Sequence, residues 1–140
     1  MIHASPATHA AFRLMPGTDL IDGLRAARAE LDARALAVVT CVGSLTDAVL
    51  RHADRDEGTR YAGRFEIVSL VGTVDPGHQH LHLSLADGEG RVRGGHLMPG
   101  SAVYTTAEVV VASLDVLAFR RAPCARSGFR ELVVEGARRG

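Results

Sequence analysis

Four of the chain's seven histidines lie between residues 78 and 96. Three alternate with other residues in His78-Gln79-His80-Leu81-His82-Leu83-Ser84-Leu85, and the fourth, His96, follows the turn sequence Asp87-Gly88-Glu89-Gly90. Imidazole nitrogen ligates zinc, iron, nickel and cobalt. Three neutral imidazoles on zinc leave a coordination position open for water, a substrate oxygen or a small carboxylate. Zinc is the first choice among divalent metals, and the residues themselves name no reaction.

The elements that must position these side chains are two strands. Strict alternation marks a half-buried strand, with Leu81, Leu83 and Leu85 on the core face and His80, His82 and Ser84 on the other. The register of the returning strand decides whether His96 joins them. A three-residue loop, Gly88-Glu89-Gly90, with Gly90 in the left-handed conformation, places His82 opposite His96 and Leu81 opposite Leu97. A two-residue loop would set His82 against Gly95 and turn His96 to the leucine face. Burial of Leu97 beside Leu81 favours the first register. His80 and His82 then lie about 6–7 Å apart along one strand. His96 is their cross-strand neighbour at a Cβ separation of about 4.5–5.5 Å. Gly94 and Gly95 carry no side chains and leave room beside the site.

Spacing alone is equally compatible with a metal site and with an incidental His-x-His on a strand. His3, His9 and His52 fall in terminal or loop contexts and read as surface residues.

The rest of the chain reads as one domain of α/β (α+β) class. At 140 residues it can bury a real core. Sixteen basic residues, all arginine, balance sixteen acidic ones, so there is no general attraction to a phosphate backbone. Cys41 and Cys124 form no spaced pair and read as thiols in a reducing compartment. Residues 1–16 show no basic segment followed by an apolar run, and no stretch approaches the ~20 apolar residues of a membrane helix. The cytoplasm is the expected location, with no membrane partner.

Residues 1–10 are expected to be a flexible N-terminus, 11–135 the domain, and 136–140 a basic C-terminal tail. Ala11 to Met15 is a short strand. Pro16-Gly17 breaks it, and Thr18 or Asp19 caps a helix whose stripe is Leu20, Leu24, Ala27 and Leu31. Strands are expected over 36–41, 46–51 and 63–74, the last with a bulge or close approach at Gly72. The histidine hairpin follows the turn Asp75-Pro76-Gly77. Residues 108–114 read as a central strand, and 116–121 and 129–135 as the last two. One main helix with seven or eight strands joined by short turns implies a mainly antiparallel sheet with the helix on one face.

Other chemistries are absent. There is no phosphate-binding Gly-x-x-x-x-Gly-Lys loop, nucleophile-elbow Gly-x-Ser-x-Gly or His-Glu-x-x-His. Two tyrosines, four phenylalanines and no tryptophan make a poor stacking platform for single-stranded nucleic acid.

Gly63-Arg64-Phe65-Glu66-Ile67-Val68-Ser69-Leu70 closely resembles a strand of the plant and prokaryote conserved (PPC) domain family. In order along the chain, Pro16-Gly17-Thr18-Asp19-Leu20, Val42-Gly43-Ser44-Leu45, His80-x-His82, Gly94-Gly95-His96 and Glu108-Val109-Val110 agree with it. The resemblance covers about residues 11 to 135 and is to the stand-alone prokaryotic type. It implies a mainly antiparallel α/β fold, a homotrimer, and metal binding by His80, His82 and His96. In plants such domains accompany an AT-hook in nuclear DNA-associated regulators and serve in protein association, which implies DNA or a protein as alternative partners. This chain lacks the Arg-Gly-Arg-Pro core of an AT-hook, and Ala137-Arg138-Arg139-Gly140 is only distantly similar. Glu66 and Glu108 also match family positions. They read either as groups orienting a histidine or, preferably, as strand carboxylates satisfied by arginine, Arg64 or one from a neighbouring subunit. His78 reads as solvent-facing rather than as a further ligand. Three equivalent sites at or near subunit interfaces are expected, each walled by the neighbouring chain, with Val92 and Met98 beside the histidines.

Overall fold

The structure, a computed structural model, describes residues 2–136. Eight strands and one helix follow one another as β1 (Ala7–Leu14), α1 (Leu20–Glu30), β2 (Leu36–Arg51), β3 (Gly58–Val74), β4 (Gln79–Ala86), β5 (Val92–Leu97), β6 (Val103–Leu114), β7 (Leu117–Pro123) and β8 (Arg130–Gly136). All pairings are antiparallel, as expected for this succession of strands and short turns.

Six strands form one sheet in the order β1-β6-β2-β3-β4-β5, and β5 returns to pair with β2 through Leu50–Leu97 and Arg51–His96. Strands β2 to β5 therefore close on themselves. The sheet curls because β2 and β3 are long strands with register shifts at Leu45–Asp47 and Ile67–Ser69, and such irregularities bend strands. Leu50, Leu70, Leu81, Leu83, Leu85 and Leu97 are all buried in one core, at about 1.5–3 kcal/mol per fully buried side chain. The histidine face is the outer wall.

Two further boundaries differ from expectation. Residues 36–41 and 46–51 belong to a single strand, since β2 runs through Gly43 with a register shift against β6 instead of breaking there. The segment 1–10, expected to be flexible, contains the start of β1, where Ala7 to Ala10 pair with Leu114 to Val111. Residues 137–140 of the expected basic tail lie outside the described residues, and Gly136 ends β8.

Strands β7 and β8 form a separate two-stranded ribbon. Alternation puts Leu117, Phe119 and Arg121 on one of its faces. Leu117 and Phe119 are buried with Ala35 in a second, smaller core.

Helix α1 buries Leu20, Ile21 and Leu24 in the main core. Asp19, not Thr18, is its cap. One carboxylate oxygen accepts from the Ile21 and Asp22 amides at 2.8 and 3.2 Å, and the other from the Gly100 and Ser101 amides at 2.7 and 2.9 Å. One side chain thus ties the helix start to the turn before β6. Asp19→Ala removes all four bonds, and we expect a loss of about 2 kcal/mol or more in denaturant titrations, with Asp19→Asn losing less.

Candidate metal centre

The hairpin adopts the three-residue loop. Gly90 has φ +75°, its amide donates to the Asp87 carbonyl at 2.9 Å, and the Asp87 amide donates to the Arg91 carbonyl at 3.1 Å. The Asp87 carboxylate accepts from the Glu89 and Arg91 amides, both at 3.0 Å, which locks the turn. His82 consequently sits opposite His96, and Ala86 opposite Val92.

The other side of β4 is set by Gly72 of β3. Its φ of +137° and its position opposite Leu81 bring its backbone so close to β4 that a Cβ would stand 2.0 Å from the His80 carbonyl oxygen. Only glycine fits, and the close approach read from the sequence is the device that seats the strand bearing His80. His80 and His82 face Thr73 and Val71 of β3.

The three imidazoles converge. One ring nitrogen from each of His80, His82 and His96 lies within 4.8 Å of the others. Ring centroids are 5.1 Å apart for His80–His82 and His80–His96, and 5.6 Å for His82–His96. The Nε2 atoms of His80 and His82 are 3.2 Å apart. Two nitrogens each about 2.0–2.1 Å from a tetrahedral ion would be about 3.3–3.4 Å apart, so this pair already has ligand spacing. The donor set fits a zinc-like ion. His82 is exposed and His96 half-buried, so one side of the trio is open.

The electrostatics favour neutral rings at His80 and His96. Burial pushes His96 down to about 4, helped by the Arg51 guanidinium and by His80 and His82. Burial, then the like charge of His82 and of Arg121, also lowers His80. Crowded imidazoles that resist protonation keep their lone pairs available to a cation.

His78 stays outside the trio, exposed in the turn, with its carbonyl accepting from the Asp75 amide at 2.8 Å. Glu66 and Glu108 are not partners of the histidines. Glu66 pairs with Ala86, at the far end of β4, and Glu108 lies between Arg13 of β1 and Val42 of β2. Nor does Arg64 neutralise either, since its guanidinium sits 4.6 Å over the Tyr104 ring. Room beside Gly94 and Gly95 is already taken. A Cβ on Gly94 would meet the Leu83 carbonyl at 2.9 Å and Ser84 Oγ at 3.0 Å, and one on Gly95 the Arg51 carbonyl at 2.8 Å.

Two residues near the site escaped the sequence. His52, expected to be a surface residue, bonds the Gly94 carbonyl through Nδ1 at 3.2 Å and Tyr61 Oη through Nε2 at 2.6 Å. A carbonyl only accepts, so Nδ1 carries the proton and Nε2 accepts from the tyrosine. His52 thereby braces the strand that carries His96. Arg121 reaches the histidine face from the ribbon, lining a cavity of about 340 Å³ with His80 and His82. The available signal was an arginine on the Leu117–Phe119 face of an alternating strand.

Comparison with known proteins agrees with this architecture. The model of a family described as the Plants and Prokaryotes Conserved (PCC) domain matches residues 1–115. Over 123 residues the chain is 43% identical to the "Bifunctional protein GlmU" of Synechococcus sp. (strain JA-3-3Ab), covering 88% of this chain and 20% of that protein. The chain thus spans about a fifth of the length of that curated relative. A solved structure of a hypothetical protein from Salmonella enterica superposes with a TM-score of 0.94 at 42% identity, covering 96% of this chain and 97% of that one. A metal-containing protein from Archaeoglobus fulgidus superposes with a TM-score of 0.80 at 26% identity, covering 95% and 99%. No helix among the described residues is long and apolar enough to cross a membrane.

Proposed function

The chain belongs to the Plants and Prokaryotes Conserved domain family, and from that premise we propose that it is a homotrimeric protein binding one divalent metal ion per chain, zinc foremost, through His80, His82 and His96. The convergence of three ring nitrogens within 4.8 Å of one another carries this reading. The metal-containing relative from Archaeoglobus supports it. When bound, the ion supplies a Lewis-acidic position for a small ligand. The chain's own contribution is to hold three imidazoles together on one hairpin, pinned by Gly72 on one side and the Asp87 turn on the other.

The trimer is what the family resemblance implies, and exposed apolar surface gives such an assembly a face to cover. Val42, Val68, Val71 and Val92 are each more than half exposed. Val71 sits opposite His82 and lines the same cavity. A second copy of the chain covering this face would shelter the ion and form one wall of its site. Duplex DNA is less well supported as a partner, because the formal net charge is zero. A reducing, cytoplasmic setting suits free Cys41 and Cys124.

Anomalous scattering at the zinc edge, from crystals of protein purified without chelator, tests the assignment. We expect one peak per chain bonded to the three imidazoles. A density map with no peak there would overturn it.

Proton competition has a definite sign. Metal binds the neutral rings, so affinity should be nearly flat from pH 8 to 7 and fall toward pH 5. Because His96 and His80 are already held below 6.5, metal should persist to lower pH than on unperturbed imidazoles. The same shift acts on the metal-free fold. His96 is depressed from 6.5 to about 4, so its stabilisation is complete above 6.5 and is lost as pH falls toward 4. Zinc retained after dialysis across this range, with denaturation midpoints of the metal-free protein, checks both halves.

A further inference from the structure

We propose that Arg121 makes the histidine face an oxyanion site, where a carboxylate or phosphate group takes the open position on the ion held by His80, His82 and His96 and lies against the Arg121 guanidinium. The inference rests on the metal reading above and names the class of ligand.

Among the described residues, Arg121 is the one buried side chain that leaves a nitrogen or oxygen without a hydrogen-bond partner. Its side chain is only 9% exposed, and its Nε is buried without a hydrogen-bond partner. The nearest carboxylate oxygen, Oδ2 of Asp75, is 3.8 Å from Nε, beyond hydrogen-bond reach, and Asp75 Oδ1 is engaged by the Gly77 amide at 2.9 Å. A single contact, Nη2 to Thr73 Oγ1 at 3.4 Å, uses one of five N–H donors. A buried guanidinium ordinarily has its donors filled, and this one stands at the wall of the cavity that His80 and His82 also line.

Charge points the same way. Arg121 and Glu131 face the cavity from the ribbon, Asp75 lies behind Arg121, and Arg51 sits opposite His96 in β2. Two cations thus meet two acids, while neutral imidazoles bring no negative charge to a divalent ion. An anionic fourth ligand compensates the ion, whereas water leaves the excess in place. The planar fork of arginine suits carboxylate and phosphate alike, and Leu132 and Val71 give the cavity an apolar margin that strengthens such a contact.

The test is calorimetric titration of the full-length, zinc-loaded protein with inorganic phosphate and, separately, with malonate, alongside metal analysis of each sample. Wild-type protein is expected to bind at least one probe, and the better one assigns the group as phosphate or carboxylate. Arg121→Gln should weaken that probe about tenfold or more with zinc content unchanged, as loss of charge-assisted bonds requires. Glu131→Gln, at the cavity margin, should tighten it. If Arg121→Gln leaves Asp75 unpaired and fails to fold, the neutral pair Asp75→Asn with Arg121→Gln takes its place and should show the same weakening. Zinc-loaded protein that binds neither probe, or a charge-free Arg121 variant that binds as wild type does, overturns the inference and leaves the metal reading standing. Protein that takes up no zinc overturns the metal reading and this inference with it.

Discussion

Replacing His82 by alanine is expected to abolish metal binding, taking zinc from one ion per chain to nearly none, while the fold survives. His82 is exposed on the outer wall and lies 3.2 Å from His80 Nε2, so its removal takes away a ligand and opens no cavity in the leucine core. Loss of a group that merely orients a ligand already costs metal sites about 10–100-fold, and loss of a ligand should cost at least that. His80→Ala and His96→Ala should behave alike. His78→Ala should leave the stoichiometry unchanged, because His78 stands outside the converging trio. Elemental analysis of the four variants, with thermal melts as the folding control, decides the matter. Zinc retained at full stoichiometry by all three ligand variants would remove the assignment.

Gly72→Ala is expected to damage fold and site together. The added Cβ would stand 2.0 Å from the His80 carbonyl, and φ of +137° is strained for any side chain. Strain and overpacking together should cost about 3 kcal/mol or more. The backbone that must yield carries His80, so zinc affinity should fall even in the fraction that folds. Gly88→Ala is the contrasting variant, since nothing lies within 4 Å of its would-be Cβ, and it should be close to neutral. Urea denaturation paired with a zinc titration measures both effects. A Gly72→Ala protein with wild-type zinc affinity would show that this close approach does not position His80.

The hairpin was legible because its determinants are local. Parity separates Leu81, Leu83 and Leu85 from the histidines, and Gly90 selects the loop that sets His82 against His96. Gly72 was legible as a close approach, though not which atom it approaches. What lay hidden is non-local. Nothing near Leu50 or Leu97 announces that β5 returns to β2 and closes these strands on themselves. Nothing near Arg121 announces that its ribbon leaves the main sheet and borders the cavity of His80 and His82. His52 and Gly94 are far apart in sequence and meet only because β2 and β5 pair. Glu66 and Glu108 stand apart from the histidines, in line with the preferred reading of them as strand carboxylates, although Arg64 is over Tyr104 and not beside either.

Native mass spectrometry of the purified protein tests the central claim most directly, because one spectrum reports assembly and metal content together. The account predicts a single dominant species of three chains carrying three divalent ions, shifting to a species without ions when His80, His82 and His96 are replaced together. A wild-type spectrum of metal-free chains, after purification without chelator and with zinc supplied, would contradict it.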